Sequence, residues 1–494
     1  MLPLRLDPGR GPWPLHDAAA SRAAESAALQ TGAPFVLMAR AGLGVARLAL
    51  ALAPHAQRFQ VWAGPGNNGG DGFVAARQLL EAGRAVQISF VGDAAQLPAD
   101  AARARAEAQQ AGVPIGEADD GADLVIDALL GLGARRAPDG ALAAAIERIN
   151  AARVPVLAVD IASGLHPDHG MPLGRVAVRA THTLALLTLK PGCFTAQGRD
   201  FSGELWFDPL GVDAGPPTAW LAGPPAHGPR APSSHKGSHG DVWVVGGAQG
   251  MTGAAWLAAR AALAAGAGRV YVSPLDPAAS LLDAAHLELM VRREAWHEPP
   301  SQLARGTVVC GCGGGDAVRA ALPPLLAHAG RLLLDADALN AIAADPMLQD
   351  QLRRRGTRSG ATLLTPHPLE AARLLQAEVA EVQGDRIGAA RTLAERFACA
   401  VLLKGSGTVV AAPGRVPSIN PTGNAALAGP GTGDVLSGWA GGLWAQQPQR
   451  AGCDIANTAA WQHGRVADRW PAAARGAPLR ASELVEALAR HDFD

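Results

Sequence analysis

A glycine-rich segment that also carries asparagine and aspartate follows the strand-like run from Gln57 to Ala63. Five glycines lie among the nine residues from Gly64 to Gly72. They let the backbone adopt positive φ and approach a ligand closely, and the amides at the start of a following helix favour an anion such as phosphate. A plain strand-to-helix connection would not need Asn67, Asn68 and Asp71 in one turn. The segment therefore predicts a ligand-binding turn.

Two further apolar runs end in oxygen-bearing side chains. Asp127 follows the run that starts at Leu124, and Asp160 and Ser163 follow the run that starts at Val154. In open α/β sheets, ligands bind beyond the carboxyl ends of the strands. Either aspartate taken alone is equally well explained as a helix cap. Three such strand ends in one half of the chain favour a shared pocket.

The strongest single signal lies between Gly429 and Gly438. There a glycine-rich turn leads into an apolar helix with Asp434 near its start. Phosphoryl transfer needs this combination, because backbone amides neutralise the charge on the transferred group and a carboxylate takes the proton of the attacking hydroxyl. An N-cap is the simpler alternative for the aspartate. The full segment predicts an anion hole with a catalytic base.

Other segments at strand ends contribute to the same prediction. They are Lys404 to Thr408, Thr365 to Glu370 with His367, Asp335 to Asn340, and Gly253-Ala254. Each taken alone is explained by a cap or a turn, and an isolated histidine is more often structural than functional. Together they indicate a nucleotide site.

Apolar runs alternate with helical stretches in both halves of the chain, which predicts α/β domains with parallel sheets and helices on both faces. Strands are predicted at 57–63, 85–91, 124–130, 154–160 and 181–189, with a helix at 71–81, and then at 241–246, 270–273, 306–309, 332–335, 362–364 and 400–403. Residues 213–236 are rich in proline and glycine and are typical of a linker. We therefore predict domains at 1–220 and 221–494.

Composition excludes several classes of protein. The 494 residues are 48% hydrophobic and 18% charged, which supports full cores, and the net charge of −1 offers no basic field for nucleic acid or anionic lipid. No apolar stretch reaches the roughly 20 residues needed to span a bilayer, and the N-terminus is typical of neither a signal peptide nor a transit peptide. We expect a cytoplasmic protein without nucleic-acid or membrane partners. Of the five cysteines, Cys310 and Cys312 are close in sequence, and packing is favoured over a metal or redox role.

Over residues 15–215 the chain resembles the NAD(P)H-hydrate epimerase domain. The resemblance is carried by Leu37 to Gly42, Asn67 to Gly72, Asp127 with Gly131 and Gly133, and Asp160 with Ser163. It implies a Rossmann-like parallel sheet and a potassium ion held by Asn68, Asp127 and Ser163. It also implies a substrate site for hydrated NAD(P)H formed by Asn67, Asn68, Gly69, Gly70, Asp71, Gly131, Leu132, Gly133, Ala134, Arg135, Arg136, Ala137 and Asp160.

Asp160 is the candidate acid/base for inversion at the hydrated carbon of the nicotinamide ring. Lys190 is a weaker candidate, because a lysine near a strand end is more often solvated. The chain departs from the family at Ala162, where proline is common; this loosens the turn and leaves Asp160 and Ser163 in place.

Over residues 225–490 the chain resembles the ribokinase-like superfamily, and within it the NAD(P)H-hydrate dehydratase branch. The matching segments are Lys236-Gly237, 244–247, 252–254, 311–315, 335–340, 365–370, 404–408 and 431–434; Cys312 stands where proline is more common. The resemblance implies contacts to the hydrated dinucleotide from Ala254, Gly315, His367 and Asp434. It assigns ADP or ATP, accompanied by Mg²⁺, to Lys404, Gly405, Ser406, Gly407, Thr408 and Gly433, with Asp434 as catalytic base.

Together the two resemblances predict a bifunctional repair enzyme that epimerises hydrated NADH and NADPH and dehydrates one epimer. The rivals are a small-molecule kinase of the same superfamily and a non-enzymatic binding module. The first half of the chain argues against the kinase, and the joint presence of Asn68, Asp127, Asp160 and Ser163 argues against the module. The choices between ADP and ATP and between NADH and NADPH stay open. We also expect a homo-oligomer.

Overall fold

The computed structural model describes residues 3–31, 35–118, 120–226, 228–357, 360–473 and 476–493. The chain divides into two compact units, a first unit that ends at Leu221 and a second unit that begins at Ala222. The boundary lies inside the segment predicted as a linker. That prediction is wrong for residues 219–221, which form a strand, and His227 of the segment lies outside the described residues. Among the described helices, none combines the length and the apolar composition that crossing a bilayer requires.

The elements of the first unit alternate between strands and helices along the chain. Its strands are β1 (Leu4–Arg5), β2 (Trp13–Leu15), β3 (Arg58–Ala63), β4 (Ala85–Phe90), β5 (Leu124–Ala128), β6 (Val156–Val159), β7 (His182–Leu186), β8 (Glu204–Asp208) and β9 (Ala219–Leu221). Its helices are α1 (Ala18–Thr31), α2 (Val36–Leu52), α3 (Asn67–Glu81), α4 (Ala99–Gln110), α5 (Gly140–Ala151) and α6 (Gly198–Phe201), with 3-10 turns at Ala94–Gln96 and Pro191–Cys193.

In the described part of the first unit, seven strands form one sheet in the order β1-β8-β7-β6-β5-β3-β4. Every neighbouring pair from β8 to β4 is parallel, and β1 alone runs antiparallel at the edge. β2 and β9 pair antiparallel with each other. The central strands are buried runs of valine, leucine and isoleucine, as expected of a parallel sheet covered on both faces. This confirms the predicted Rossmann-like α/β architecture.

The second unit repeats the alternation. Its strands are β10 (Asp241–Gly246), β11 (Arg269–Pro274), β12 (Met290–Val291), β13 (Thr307–Cys310), β14 (Arg331–Leu334), β15 (Ala361–Leu364), β16 (Ala400–Leu403), β17 (Val409–Ala411) and β18 (Ser418–Ile419). Its helices are α7 (Thr252–Ala264), α8 (Pro300–Arg305), α9 (Val318–His328), α10 (Ala336–Ala344), α11 (Pro346–Gly356), α12 (Pro368–Leu375), α13 (Val379–Gly384), α14 (Arg386–Phe397), α15 (Thr432–Gln446), α16 (Gly452–Asp468) and α17 (Ala481–Ala489), with 3-10 turns at Lys236–His239, Ala295–His297 and Ala425–Leu427.

The strands of the second unit follow the order β12-β11-β10-β13-β14-β15-β16-β17-β18. The pairs from β12 to β16 are parallel, and β17 and β18 extend the sheet by antiparallel pairing. α7, α15, α16 and α17 contribute many of the alanines, leucines and tryptophans of its buried core. The carboxyl ends of the parallel strands therefore meet along one edge, which is where the predicted site residues lie.

Predicted elements and observed elements differ mainly at their ends. The predicted helix at 71–81 begins four residues earlier, at Asn67, because the glycine-rich turn is itself helical after the extended residue Gly66. Several predicted strands run past the observed ones. Leu129 and Leu187, for example, are buried but unpaired in the ladder. The sequence pattern overextends these strands, because buried residues just beyond a strand are as apolar as the residues that pair within it.

Gly438 determines how closely α15 approaches α7. A Cβ at this position would lie 1.9 Å from the carbonyl oxygen of Ala258. We expect Gly438→Ala to lower the free energy of unfolding of the second unit by about 1–3 kcal/mol, because the two helices must separate. Thermal unfolding measures the loss. In the control Gly384→Ala the new Cβ meets no heavy atom within 4 Å, so stability there should be unchanged or higher by up to about 1 kcal/mol. Equal stabilities for the two variants would contradict this account of the helix contact.

Candidate active sites

A cavity of about 480 Å³ opens at the carboxyl ends of the strands of the first unit. Of the predicted substrate residues, it is lined by Asn67, Asn68, Asp71, Gly131, Leu132, Gly133, Ala134 and Asp160. Gly69 and Gly70 lie beneath it: they pack against the backbone of Gly64 and the side chain of Met38. Arg135, Arg136 and Ala137 follow the lining segment but are not among the lining residues. The structure thus brings together most, but not all, of the predicted set.

Asp160 follows β6 in the left-handed region, with φ of 69°. This conformation is uncommon for a residue with a side chain and is typical of functional sites. One carboxylate oxygen accepts hydrogen bonds from the ammonium of Lys190 and the amide of Leu186, and the other accepts the amide of Leu132. The carboxylate is thereby fixed at the cavity wall.

Lys190 is not solvated, so the expectation for this residue is wrong. Its side chain is 2% exposed, and its ammonium donates to the carbonyl oxygens of Leu186 and Thr188 at 2.7 and 2.9 Å as well as to Asp160. A buried ammonium requires such partners, because it has lost its hydration. The pair places a proton donor directly beside the candidate acid/base.

Two more acids face the same cavity. Burial, together with the charges of Asp160 and Glu25, raises the pKa of Asp71 well above its usual range. Burial and the charge of Asp160 also raise the pKa of Glu25, which lies on α1 and which the sequence analysis missed. Glu25 and Asp71 disfavour each other's ionisation, so the cavity favours their protonated forms more than water does.

An oxygen-rich cluster lies behind the cavity and joins two of the three predicted potassium ligands. The hydroxyl of Ser163 donates to a carboxylate oxygen of Asp127 at 2.6 Å, and the amide of Ser163 donates to the other at 2.9 Å. The Ser163 hydroxyl also accepts the amide of Leu130 at 2.8 Å. Asn68 lies against Gly131, one residue further along the same loop.

The cluster disfavours the ionised form of its own carboxylate. Burial raises the pKa of Asp127 to about 6, even though its hydrogen bonds with Ser163 act in the opposite direction. Within the described residues, the buried side-chain nitrogen of Asn68 has no hydrogen-bond partner, so it can donate to an acceptor atom of a ligand. A cation beside these carboxylate, amide and hydroxyl oxygens would stabilise the ionised carboxylate, and such oxygens are the donors that hard cations prefer.

Asp434 of the second unit lies in the first turn of α15, after Gly431 with φ of 85°. Burial and the nearby charge of Asp335 raise its pKa to about 6, while a hydrogen bond with Cys312 and the charge of Lys404 lower it. The ligand atoms of Cys312, Asp335 and Asp434 lie within 4.8 Å of one another. The carboxylate of Asp434 is therefore poised to accept a proton near neutral pH.

Lys404 connects the strand ends to this helix. Its ammonium donates to Asp335 at 2.7 Å, lies 3.9 Å from Glu370, and is 3.5 Å from the Cβ that a side chain at Gly433 would have. Burial opposes its charge, but Asp335 and Glu370 together raise its pKa above the usual value. The second carboxylate oxygen of Asp335 accepts the hydroxyl of Ser437 at 2.7 Å. Asp335 thus accepts one hydrogen bond on each of its carboxylate oxygens.

His367 is a helix cap as well as a candidate ligand contact. Its Nδ1 accepts the amides of Leu369 and Glu370 at the start of α12, and its Nε2 lies 3.0 Å from Glu370 Oε1. The side chain is nevertheless 45% exposed at the carboxyl end of β15. Both interpretations of this histidine in the sequence analysis are therefore compatible with its position.

Ala254 and Gly315 are brought together from distant parts of the sequence. Ala254 lies in the first turn of α7, and a Cβ at Gly313 would meet its side chain at 2.8 Å. The amide of Gly315, with φ of 50°, donates to Asp337 at 2.8 Å. All predicted residues of the second site thus follow strand ends or begin helices along one sheet edge.

The sequence analysis missed several residues that build the second site. Besides Ser437, they include His463, whose Nε2 lies 3.0 Å from the carbonyl oxygen of Thr432 and whose pKa burial lowers to about 4. Cys312 was assigned to packing; it is buried, but its thiol also contacts Asp434. Each of these side chains lies in an apolar helix or a glycine run, where local sequence offers no sign of a long-range partner.

Comparisons with known proteins agree with this architecture. Residues 34–192 match the model of the YjeF-related protein N-terminus, and residues 242–490 match the model of NAD(P)H-hydrate dehydratase. The bifunctional NAD(P)H-hydrate repair enzyme of Escherichia coli (strain K12) is 37% identical, covering 92% of this chain and 89% of that protein. The corresponding enzyme of Coxiella burnetii is 35% identical, covering 91% and 93%.

A crystal structure of the ADP/ATP-dependent NAD(P)H-hydrate dehydratase from Bacillus subtilis is 30% identical, with a TM-score of 0.45, and covers 54% of this chain and 94% of that chain.

Two α/β units that each hold a lysine–aspartate ion pair at their strand ends define a two-domain enzyme, Rossmann-like in the first unit and ribokinase-like in the second. This chain belongs to the family of bifunctional NAD(P)H-hydrate repair enzymes. The predicted family and enzyme class are confirmed.

Asp127 should make the stability of the first unit depend on pH. Its folded-state pKa of about 6 exceeds the unfolded value of 3.8, so its contribution is fully present below the unfolded pKa and is lost as pH rises through about 6. In potassium-free buffer we expect a loss on the order of 3 kcal/mol between about pH 4 and pH 7. Asp127→Asn should remove this part of the decline. Hydrogen exchange of β3 and β5 in the full chain, measured over this pH range, provides the check; parallel pH curves for both proteins would refute it.

Proposed function

We propose that the first site interconverts the two epimers of hydrated NAD(P)H, and that the second site dehydrates one epimer at the expense of ADP or ATP. The observation that carries the proposal is that each unit presents its own candidate acid/base, Asp160 or Asp434, at the carboxyl ends of its strands beside a helix N-terminus. In support, a separate family model matches each unit, the YjeF-related N-terminus in the first and NAD(P)H-hydrate dehydratase in the second. Both epimers would then return to NAD(P)H.

Inversion requires the bond between the ring carbon and its hydroxyl oxygen to break and to form again on the opposite face. A group that gives a proton to the departing hydroxyl, and takes one from the returning water, serves both directions. Asp160 fits this role because it lines the cavity and accepts a hydrogen bond from the buried ammonium of Lys190. The raised pKa values of Glu25 and Asp71 favour the protonated forms of these two acids on the same wall.

The cluster of Asn68, Asp127 and Ser163 fits a potassium ion. Its donors are hard oxygens, and an ion would stabilise the ionised form of its carboxylate, which burial disfavours. When bound, the ion supplies positive charge that keeps Asp127 ionised and favours a phosphate-bearing ligand nearby. The protein itself holds the loop at Leu130 in place, because the hydroxyl of Ser163 accepts a hydrogen bond from the amide of Leu130.

At the second site, Asp434 takes the proton of the ring hydroxyl as that oxygen attacks the terminal phosphorus of the nucleotide. The product is a phosphate ester, from which phosphate leaves as the neighbouring ring carbon loses a proton. The nicotinamide ring is thereby restored, and the nucleotide is released one phosphate shorter. Amides of the first turn of α15 face the transferred group, and Lys404 places a cation beside Gly433.

The second site also fits Mg²⁺. Asp335 and its neighbour Asp337 raise the pKa of Asp434, so the site carries an excess of negative charge. These two carboxylates would hold the ion, directly or through water, with nucleotide phosphates as the remaining ligands. When bound, the ion neutralises charge on the phosphates. We also propose that the protein is cytoplasmic and forms a homo-oligomer.

The division of labour is tested by two matched substitutions. We expect Asp160→Asn to slow epimerisation by about 10²–10⁴-fold and to leave dehydration unchanged, because it removes the proton-transfer group of the first site only. Asp434→Asn should do the opposite by a similar factor. Recovery of NADH absorbance from each purified epimer, with ADP or ATP present, separates the two activities. Loss of both activities in either folded variant would contradict independent sites.

The rate of dehydration should fall at acidic pH as Asp434 becomes protonated. Because this base works in its ionised form, the rate is expected to fall about tenfold per pH unit below its pKa of about 6. Cys312→Ala removes a hydrogen bond that lowers this pKa, so this decline should move to higher pH. The measurement is kcat/KM for dehydration against pH, with epimerisation by the same protein as the control. A decline that stays in place in Cys312→Ala would show that the thiol does not act on Asp434.

A further inference from the structure

Arg386 is a buried cation that the mechanism above does not use. It is the first residue of α14, and only 1% of it is exposed. Its guanidinium lies at the carboxyl end of β16, directly beneath the loop that follows Leu403. Burial lowers its pKa to about 10, so it keeps its charge at neutral pH.

The guanidinium binds the loop through its carbonyl oxygens. One terminal nitrogen donates to Leu403, Lys404 and Gly407 at 3.3, 3.0 and 3.5 Å. The other donates to the side chain of Gln383 at 2.6 Å, which fixes the plane of the group. A planar guanidinium is suited to holding several oxygens at once, because its donors point outward in a rigid fork.

These hydrogen bonds decide which way the loop amides face. In a trans peptide the carbonyl oxygen and the following N–H point in opposite directions. Because the carbonyls of Lys404 and Gly407 turn toward Arg386, the amides of Gly405 and Thr408 turn away from it. Successive amides that face one side of a loop form an anion-binding concavity.

Gly405 allows the loop to lie this close to the guanidinium. Its φ is 127°, and a Cβ there would lie 3.1 Å from both terminal nitrogens of Arg386. A side chain would therefore meet both backbone strain and the cation beneath. The glycine and the arginine form one local arrangement.

We propose that Arg386 is a positioning residue for the nucleotide: it orients the amides of the loop from Lys404 to Thr408 toward the phosphates of ADP or ATP. This inference rests on the proposed function of the second unit. Arg386 itself does not reach the nucleotide, since the loop lies between them. Its charge adds a positive field behind the amides, where Lys404 is already paired with Asp335.

Arg355 provides a matched control in the same unit. It is also buried, at 5% exposure, and burial also lowers its pKa to about 10. Its guanidinium donates to carbonyl oxygens at 3.0–3.3 Å, including those of Gly330 and Ala361. These residues precede or begin β14 and β15, so Arg355 holds the amino ends of the strands, away from the nucleotide edge.

The experiment compares the full-length protein with Arg386→Met, Arg386→Lys, Gly405→Ala and Arg355→Met. We measure KM for ADP, for ATP and for hydrated NADH in dehydration, and nucleotide binding by calorimetry. Arg386→Met should raise the KM and Kd of the nucleotide by at least about tenfold while KM for hydrated NADH stays unchanged. Arg386→Lys should recover part of the loss, because one ammonium cannot span three carbonyls. Gly405→Ala should resemble Arg386→Met.

Thermal unfolding of the second unit, which carries all four substitutions, reports on the integrity of each variant. Arg355→Met is expected to lower the stability of the second unit and to leave nucleotide KM at the wild-type value. Equal nucleotide KM and Kd in wild type, Arg386→Met and Arg386→Lys would overturn the inference and leave the proposed function standing. A rise of the same size in Arg355→Met would also overturn it, since the effect would then be general. If the wild-type protein neither binds nucleotide nor dehydrates, the proposed function itself fails and the inference falls with it.

Discussion

In each of the two sheets, a lysine–aspartate ion pair with one fully buried partner lies at the carboxyl ends of the strands. Neither charge would be stable there alone, because each has left water for a medium that solvates ions poorly. Lys190 is held by Asp160 and two carbonyl oxygens, and Lys404 is held by Asp335. Parallel strands impose this arrangement, since all their carboxyl ends open on one edge and polar residues there must satisfy one another.

The same edge also explains why so many glycines surround the sites. Strand ends, loops and helix starts converge within a few ångströms, and a Cβ at Gly64 or Gly311 would collide with backbone oxygen at 1.8 or 2.0 Å. Close approach of the backbone brings amides and carbonyls into the positions that ligands need. Glycine is thus required by packing and by function at once.

The two sites differ in the charged groups that surround them. In the first unit, several acids share one cavity, and burial together with the charges of neighbouring acids raises the pKa values of Glu25 and Asp71. In the second unit, arginine and lysine lie beneath and beside a loop of amides, which favours an anion. Acids whose protonated form is favoured suit an inversion that gives and takes protons, and an anion hole suits the transfer of a phosphoryl group.

The α/β class, the two units, the family and most residues at the strand ends could be predicted from the sequence, because apolar runs and glycine–acid turns are local signals. The ends of the elements were harder to predict: the helix at Asn67 starts earlier than predicted, since glycines and asparagines are poor indicators of a helix. Four features became visible in the fold alone: Lys190 is buried, Glu25 faces the cavity, Cys312 contacts Asp434 and Arg386 lies beneath the Lys404 loop. Each of these facts depends on a partner far away in the chain, and the spacing of residues in a sequence carries no record of which distant groups the fold brings into contact.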